Sequence, residues 1–357
     1  MDRRTFLKGT AAALAIPAFP PGLQAASIRR SRSAPLFDAF EGSTICRVVA
    51  LGGAGTRIVT GQIRQLFDAD RIIAIDTNAF ALSEAIADDK ILLSPHADSI
   101  FTKGNPAVAS ALAWQAREQI SSALTGAHLV FIVAGMGGGT GSGAGPVVAR
   151  IAKGVIGEGA YVVAVVTTPY ASEKLPRYLV AESGMRELQR SADVLVEIRN
   201  GKLYDRWYRK DQDNWLPDFF SYTSRAFGET YATLAGSILR PGLVGIDFED
   251  VRTVLSCGAS ASVGWANAER GSWGDDTARL VTQAACRHPL LGEDRLRNAL
   301  GVQVSIAMNS SIQSLRHYKE VMQEVRRVTS DAAHLIASTE IIDTSPEGLA
   351  VRIVAVE

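Results

Sequence analysis

The chain has 357 residues, 47% of them hydrophobic and 21% charged, which is the balance of a globular protein with room for two domains. Lys plus Arg number 37 and Asp plus Glu 37, so no bulk field favours nucleic acid or an anionic membrane. Cys46, Cys257 and Cys286 and the scattered histidines show neither a disulfide framework nor ligand spacing, which argues against catalysis on a His/Cys metal cluster.

The first residues are different in kind. Arg3-Arg4-Thr5-Phe6-Leu7-Lys8 and the small, apolar run Gly9 to Phe19 resemble a twin-arginine export signal. The run is shorter than the roughly 20 residues a membrane-spanning helix needs. Two other readings compete: a basic leader without a targeting role, and a weakly apolar anchor with Arg29, Arg30 and Arg32 on anionic lipid. On any of them residues 1–44 form a leader and linker outside the folded body.

From Cys46 onward short apolar runs alternate with helical stretches. Strands are expected at Cys46–Leu51, Arg71–Ile75, Leu129–Ala134 and Tyr161–Val166, and a helix at Ala107–Leu124, where apolar residues recur at every fourth position. Strands apolar on both faces and separated by helices indicate a parallel sheet covered on both sides, with its binding site at the carboxyl ends of the strands. Phe219–Leu239 has helical character and stops at Arg240-Pro241-Gly242. Beyond Asp247, strands at Val302–Met308 and Ala350–Val356 flank a helix at Tyr318–Arg327 and form a second unit.

The chemistry concentrates in glycine loops. Gly135 to Gly145 follows an apolar strand and precedes Pro146, a plausible helix start. Such a loop lets backbone N–H groups converge on a phosphate, and the following helix directs its positive end at the same place. A flexible linker is the bland alternative, but linkers are not clamped between a buried strand and an apolar helix. Gly52-Gly53-Ala54-Gly55 also follows a strand and reads as another wall of one phosphate pocket. No Walker sequence is present, so the pocket is of a different kind.

With these loops the sequence resembles the FtsZ/tubulin superfamily, its bacterial cell-division branch in particular. Gly135–Gly145 looks like the family's signature. Lys103-Gly104-Asn105-Pro106, Arg240-Pro241-Gly242-Leu243, Asp247-Phe248-Glu249-Asp250-Val251-Arg252 and Pro289-Leu290-Leu291 extend the likeness across the body. The resemblance implies an α/β fold: a Rossmann-like GTPase domain with a parallel sheet over 45–218, a long central helix over 219–242, and a smaller α+β domain over 243–357. It implies GTP or GDP as ligand, with Mg2+ accompanying the nucleotide. It also implies head-to-tail self-assembly, with GTP hydrolysed to GDP and phosphate between subunits in a cell-division or cytoskeletal role.

Roles then follow residue by residue. Gly52, Gly53 and Gly55 match a first phosphate loop, Gly104 and Asn105 a second, and Gly137, Gly138, Gly139, Thr140, Gly141, Ser142 and Gly143 the signature loop. Glu173 and Arg177 occupy positions that touch ribose and phosphate; Asn200 and Phe220 match a base-contacting amide and an aromatic stacked on guanine. Asp247 and Asp250 match acids that complete the next subunit's nucleotide site, although by themselves they also read as helix caps.

The departures surround the nucleotide. Arg57 replaces a small amide, Asp76-Thr77-Asn78 swaps the usual amide and acid, and Gly245 replaces an asparagine. Arg225, after Ser224, stands where the family reads guanine with an Asp, and Arg has no acceptor for the guanine N–H groups. Residues Tyr204 to Phe220 are longer than the family's loop, and its usual tail does not follow Glu357. The expected compartment is the cytoplasm, with membrane contact through the N-terminal segment; the periplasm, reached by export, is the alternative. An assembling GTPase, a relative without hydrolysis, and an exported binding protein on the same fold are the three functional readings.

Overall fold

Apolar β-branched runs such as Leu129-Val130-Phe131-Ile132-Val133 form strands buried on both faces. The computed structural model describes residues 44–60, 71–93, 102, 104–157, 161–170, 173–208, 216–239, 242–269, 274–309, 315–341 and 347–357. The expected leader lies outside them up to Ser43. In chain order the elements are β1 (Cys46–Leu51), α1 (Gly52–Thr60), β2 (Arg71–Asp76), α2 (Ala79–Glu84), β3 (Asp89–Leu92), α3 (Pro106–Gln115) and α4 (Arg117–Leu124). Next come β4 (Leu129–Gly135), α5 (Gly139–Ile156), β5 (Tyr161–Thr168), α6 (Leu175–Ser191), β6 (Val194–Arg199), α7 (Asn200–Tyr208), α8 (Leu216–Tyr231), a π-helical stretch (Ala232–Gly236) and α9 (Ser237–Leu239). The last part holds α10 (Phe248–Leu255), β7 (Ser260–Glu269), α11 (Thr277–Cys286), α12 (Glu293–Asn298), β8 (Gly301–Met308), α13 (Leu315–Arg326), β9 (His334–Ile341) and β10 (Glu347–Val356).

The strands join in one sheet of order β3-β2-β1-β4-β5-β6-β7-β10-β8-β9. From β3 to β6 every pairing is parallel; β10 pairs antiparallel with β7 and β8, and β9 returns parallel to β8. The two halves of the sheet meet at β6 and β7, through Leu195↔Ser260 and Val196↔Ala261 alone among the described residues. Alternate residues of β1, β4 and β5 feed two cores. One lies beneath α1, α8 and α10, and the other beneath α3, α4, α5 and α6. A third core packs α11, α12 and α13 against β8 and β10.

Two expectations need correction. The helix expected over Ala107–Leu124 breaks at Ala116, whose ψ of 11° ends α3 and starts α4. Ala109, Ala113, Ile120 and Leu124 are buried on both sides of the break, so the apolar period continues where the backbone does not. The expected loop Gly135–Gly145 is shorter: α5 already starts at Gly139 and carries Pro146 inside it. Packing overrides the poor helix propensity of the glycines there, as the close contacts described below show.

The run expected from Phe219 to Leu239 is helical from Leu216 to Leu239, with its π-helical stretch near the carboxyl end. At 1.5 Å per residue it is about 36 Å long. Tyr231 anchors it: the ring lies 5.0 Å from that of Phe131, and the hydroxyl donates to Cys46 Sγ at 3.8 Å. Cys46 opens β1, so by Tyr231 the helix has crossed the sheet to the end where the parallel strands begin. Around the π-stretch the Thr233 carbonyl accepts from Gln303 Nε2 at 2.7 Å and from Ser237 Oγ at 2.8 Å, and Ser338 Oγ donates to Ser237 Oγ at 2.7 Å. Those bonds tie the helix to β8 and β9 through polar groups that are themselves buried.

The apolar anchor and the polar seam carry different weights. Phe227, one turn before Tyr231 on α8, is buried in the same core, and Phe227→Ala is expected to lower unfolding free energy by about 3–5 kcal/mol through the cavity it leaves. Ser338→Ala is expected to lower it by about 1 kcal/mol, because one neutral hydrogen bond is lost. Urea unfolding of both variants checks the ranking.

Candidate functional site

The parallel strands end where the glycine loops begin. Gly52 follows the last residue of β1 with φ +67°, a conformation that favours glycine, and a Cβ there would stand 3.2 Å from the Thr140 side chain. Thr140, in the first turn of α5, has its Oγ1 3.2 Å from Thr77 Oγ1 just beyond β2. The ends of β1, β2 and β4 are therefore gathered round the N-terminus of α5. Gly137, at φ +93°, donates its N–H to Ser142 Oγ at 2.9 Å and backs onto Pro169 and Arg177. Gly104 and Asn105 stand at the head of α3, where Asn105 Oδ1 caps Ala107 N at 3.0 Å and Asn105 N donates to Thr102 O at 2.9 Å.

The glycines divide by what surrounds them. A Cβ on Gly139 would collide with Thr102, one on Gly141 with the Gly135 carbonyl, one on Gly143 with the Pro106 carbonyl, and one on Gly55 with the Val133 carbonyl. These four let α1 and α5 approach the protein. Gly53, Gly104 and Gly138 meet nothing within 4 Å. Theirs is the open side, where the N-termini of α1 and α5 present backbone N–H groups and positive dipole ends to an anion. Ser142 is buried and committed to closing the loop.

Glu173 and Arg177 form an ion pair of 2.7 Å at the start of α6, and Glu173 Oε1 also accepts from Tyr170 N at 3.1 Å. Arg177 lies against Gly137, so the pair borders the glycine loop. Asn200 begins α7 at the carboxyl end of β6, and its Oδ1 is buried without a hydrogen-bond partner. Such an acceptor is costly unless a donor reaches it. Phe220 lies on α8, but its side chain is outside the described residues. Arg225, further along α8, places Nε 3.2 Å from Glu229 Oε1, and Arg57 is exposed on α1.

Of two further features, the Tyr170–Tyr204 contact has no sequence signal, and Asp76 shows in the sequence only through the swapped order Asp76-Thr77-Asn78. Tyr170 and Tyr204 meet edge to face with ring centroids 6.2 Å apart, beside Glu173 and one turn from Asn200. Burial, with Glu173 and Tyr204 nearby, pushes the Tyr170 hydroxyl up to about 12. The second feature is Asp76. It is buried, its Oδ1 accepts from the amides of Thr77 and Asn78 at 2.7 and 3.2 Å, and its Oδ2 has no partner. Burial raises its pKa against the opposing effect of those amides. An orphaned, buried carboxylate oxygen one residue from the Thr77–Thr140 contact suits a divalent cation carried by a phosphate ligand. Among the described residues no group of three or more His, Cys, Asp or Glu could hold a metal by itself.

Asp247 and Asp250 are not brought to these loops. They form a reciprocal cap at the start of α10: Asp247 Oδ1 accepts from Asp250 N at 2.8 Å, and Asp250 Oδ2 from Asp247 N at 3.1 Å. They follow the far end of the central helix, past the point where Tyr231 has reached the opposite end of the sheet, and both are exposed. The capping role is thus present in full.

Three substitutions separate packing from binding. Gly139→Ala is expected to destabilise the fold, whereas Gly53→Val keeps the melting temperature and weakens a fluorescent GTP analogue about tenfold. Thermal melts and a binding titration on the same samples check both. A carboxyl whose pKa is raised on folding opposes folding above its ordinary pKa of about 4, and the opposition grows as pH rises to the folded value. Ligand-free Asp76→Asn should therefore melt higher than the unmodified protein at neutral pH, with the gain vanishing below about pH 4.

Comparison with known proteins agrees with this geometry. Residues 45–207 match the family model described as Tubulin/FtsZ family, GTPase domain. The cell division protein FtsZ of Buchnera aphidicola subsp. Acyrthosiphon pisum is 35% identical over 319 residues, 88% of this chain and 79% of that relative. The protein of the same name from Pseudomonas aeruginosa is 33% identical over 321 residues, 90% of this chain and 79% of the relative. Among solved structures, an empty FtsZ dimer from M. jannaschii superposes with a TM-score of 0.79 at 28% identity, covering 88% of this chain and 89% of that one. A CetZ2 protofilament from Haloferax volcanii shares the fold, with a TM-score of 0.72 at 19% identity over 87% of this chain and 92% of that one. An α/β body with its glycine loops at the carboxyl ends of a parallel sheet, together with these matches, places the chain in the tubulin/FtsZ family.

Proposed function

We propose that this protein is an FtsZ-like GTP-binding protein of cell division or the cytoskeleton that assembles head to tail and hydrolyses GTP between subunits. The observation that carries this reading is the separation of two half-sites. The phosphate-binding face lies at one end of the sheet, and the exposed pair Asp247 and Asp250 lies beyond the other, past a helix about 36 Å long. Stacking a second copy head to tail would bring the two halves together.

In this reading the N–H groups at the starts of α1 and α5 hold the phosphates, with the Thr140 hydroxyl beside them. Glu173 and Arg177 hold the ribose and a phosphate oxygen, and the orphaned Asn200 Oδ1 accepts a base N–H. Phe220 stacks on the base. Mg2+ bound to the nucleotide would neutralise charge on the phosphates, and Asp76 Oδ2 is the oxygen of this chain that fits it. Asp247 and Asp250 of the next subunit orient an attacking water and draw its proton, which makes hydrolysis wait for assembly. The domain limits at 218 and 242 and the division into a nucleotide-binding domain, a central helix and a C-terminal domain belong to the same proposal.

A nucleotide-binding relative without hydrolysis is the second reading, favoured by Arg225 in place of a guanine-reading acid. A cytoplasmic location follows from the need for GTP, and no helix among the described residues is long and apolar enough to cross a membrane. Membrane contact through the N-terminal segment is tested by deleting residues 2–27 and fractionating the cells; unchanged membrane association would refute it.

Phosphate release from GTP and ATP by residues 28–357, measured across protein concentration, tests the main reading. Release from GTP should rise faster than linearly, and Asp247→Ala should lower it by about a hundredfold while GTP binding is kept. No release from either nucleotide selects the second reading.

A further inference from the structure

Glu229 on α8 holds a carboxylate that is 12% exposed between two guanidinium groups. Arg225 Nε stands 3.2 Å from its Oε1, and Arg352 Nε on β10 stands 2.7 Å from its Oε2. Arg352, 10% exposed, extends further: its Nη1 is 3.6 Å from Glu340 Oε2 on β9, a carboxylate only 9% exposed. One planar cation thus bridges an acid on the central helix and an acid on the edge strand, away from solvent and its screening.

The neighbour of Glu340 holds the loop that leads to the aspartates. Thr339 N donates to Val244 O at 2.9 Å, and Thr339 Oγ1 accepts from Val244 N at 2.8 Å. Gly242 lies so close to the Thr339 carbonyl that no Cβ fits between them. Asp247 follows three residues after Val244. At the other end, α8 packs against α1, which carries Gly52, Gly53 and Gly55. The path from phosphate loop to aspartate pair therefore runs through α1, α8, Arg352, β9 and the 242–247 segment.

We propose that Arg352 is a positioning residue for GTP hydrolysis, locking α8 to β9 so that the Asp247–Asp250 cap is held in register for the nucleotide of the next subunit. Sliding α8 without β9 would pull Arg352 off Glu229 or off Glu340, and separating a buried guanidinium from either acid is costly even though Arg225 stays beside Glu229 on α8. Helix, edge strand and aspartate loop accordingly move as one piece. The inference rests on the assembly-coupled hydrolysis proposed above.

The test compares Arg352→Met, which keeps length without charge, with Arg352→Lys, which keeps the charge. In Arg352→Met, affinity of the unassembled protein for GTP should stay within about twofold, because no phosphate loop is touched. Turnover per subunit at saturating GTP and protein should fall about tenfold with little change in KM, and Arg352→Lys should recover most of it. Amide hydrogen exchange at Val244 and Thr339 should quicken in Arg352→Met while α5 keeps its protection. Should Arg352→Met not fold, Glu340→Gln carries the test, with the same pattern and about a threefold fall. Unchanged turnover and unchanged exchange in a folded Arg352→Met, or equal damage from Met and Lys, would overturn the proposal. If the unmodified protein itself releases no phosphate, the hydrolysis reading has failed, and the exchange measurement still decides whether Arg352 couples helix to loop.

Discussion

Backbone meets backbone where α5 leaves β4. At Gly141 and Gly143 the helix lies directly on the Gly135 and Pro106 carbonyls, and at Gly139 it lies on Thr102, with no space for a methyl group at any of the three. That contact fixes the height of the α5 N-terminus above the sheet, and the other loops are built around it. Thr140 meets Gly52 and Thr77, Asn105 is held through Thr102, and Gly137 leans on Pro169 and Arg177. An anion site made from main-chain N–H groups needs its helix ends placed to within a fraction of an ångström. Close packing supplies that accuracy where side-chain contacts would leave play.

Much of this was legible in the sequence, because burial writes itself into apolar patterning. β1 was readable to the residue, and β2, β4 and β5 to within two, since each is apolar on both faces. β3, β6, β7 and β9 were not identified. β3 is only Asp89 to Leu92, β6 ends in Glu197 and Arg199, and β9 mixes His334, Ser338, Thr339 and Glu340 among apolar residues. The start of α5 was hidden for a different reason. Local propensity says loop for a run of glycines, and tertiary packing made it helix. Residue patterns record burial well and record a neighbour's backbone hardly at all.

The site followed the same rule. Its glycines, and the aspartate pair proposed to complete it from a second copy, were visible as motifs, but which glycines face open space and which face protein depends on the fold. The Tyr170–Tyr204 pair carried no motif and Asp76 showed only as one member of a swapped pair, and the character of both comes from what surrounds them. Glu229, Glu340 and Arg352 are scattered over more than a hundred residues of chain, so only the fold could show that they share one buried cluster.

The narrow join between β6 and β7 has a mechanical meaning. A sheet resists shear through its ladder of hydrogen bonds, and here that ladder shrinks to the rungs around Leu195 and Val196. The two plates on either side are each broad and stiff, while the strip between them is the softest part of the sheet. Load passing from the glycine loops toward Asp247 is then borne chiefly by the central helix and its contacts with β8, β9 and β10. The helix works as the strut of the molecule and the sheet as its hinge line, so the stiffness of the coupling is set by a few buried polar residues on one side of a single helix.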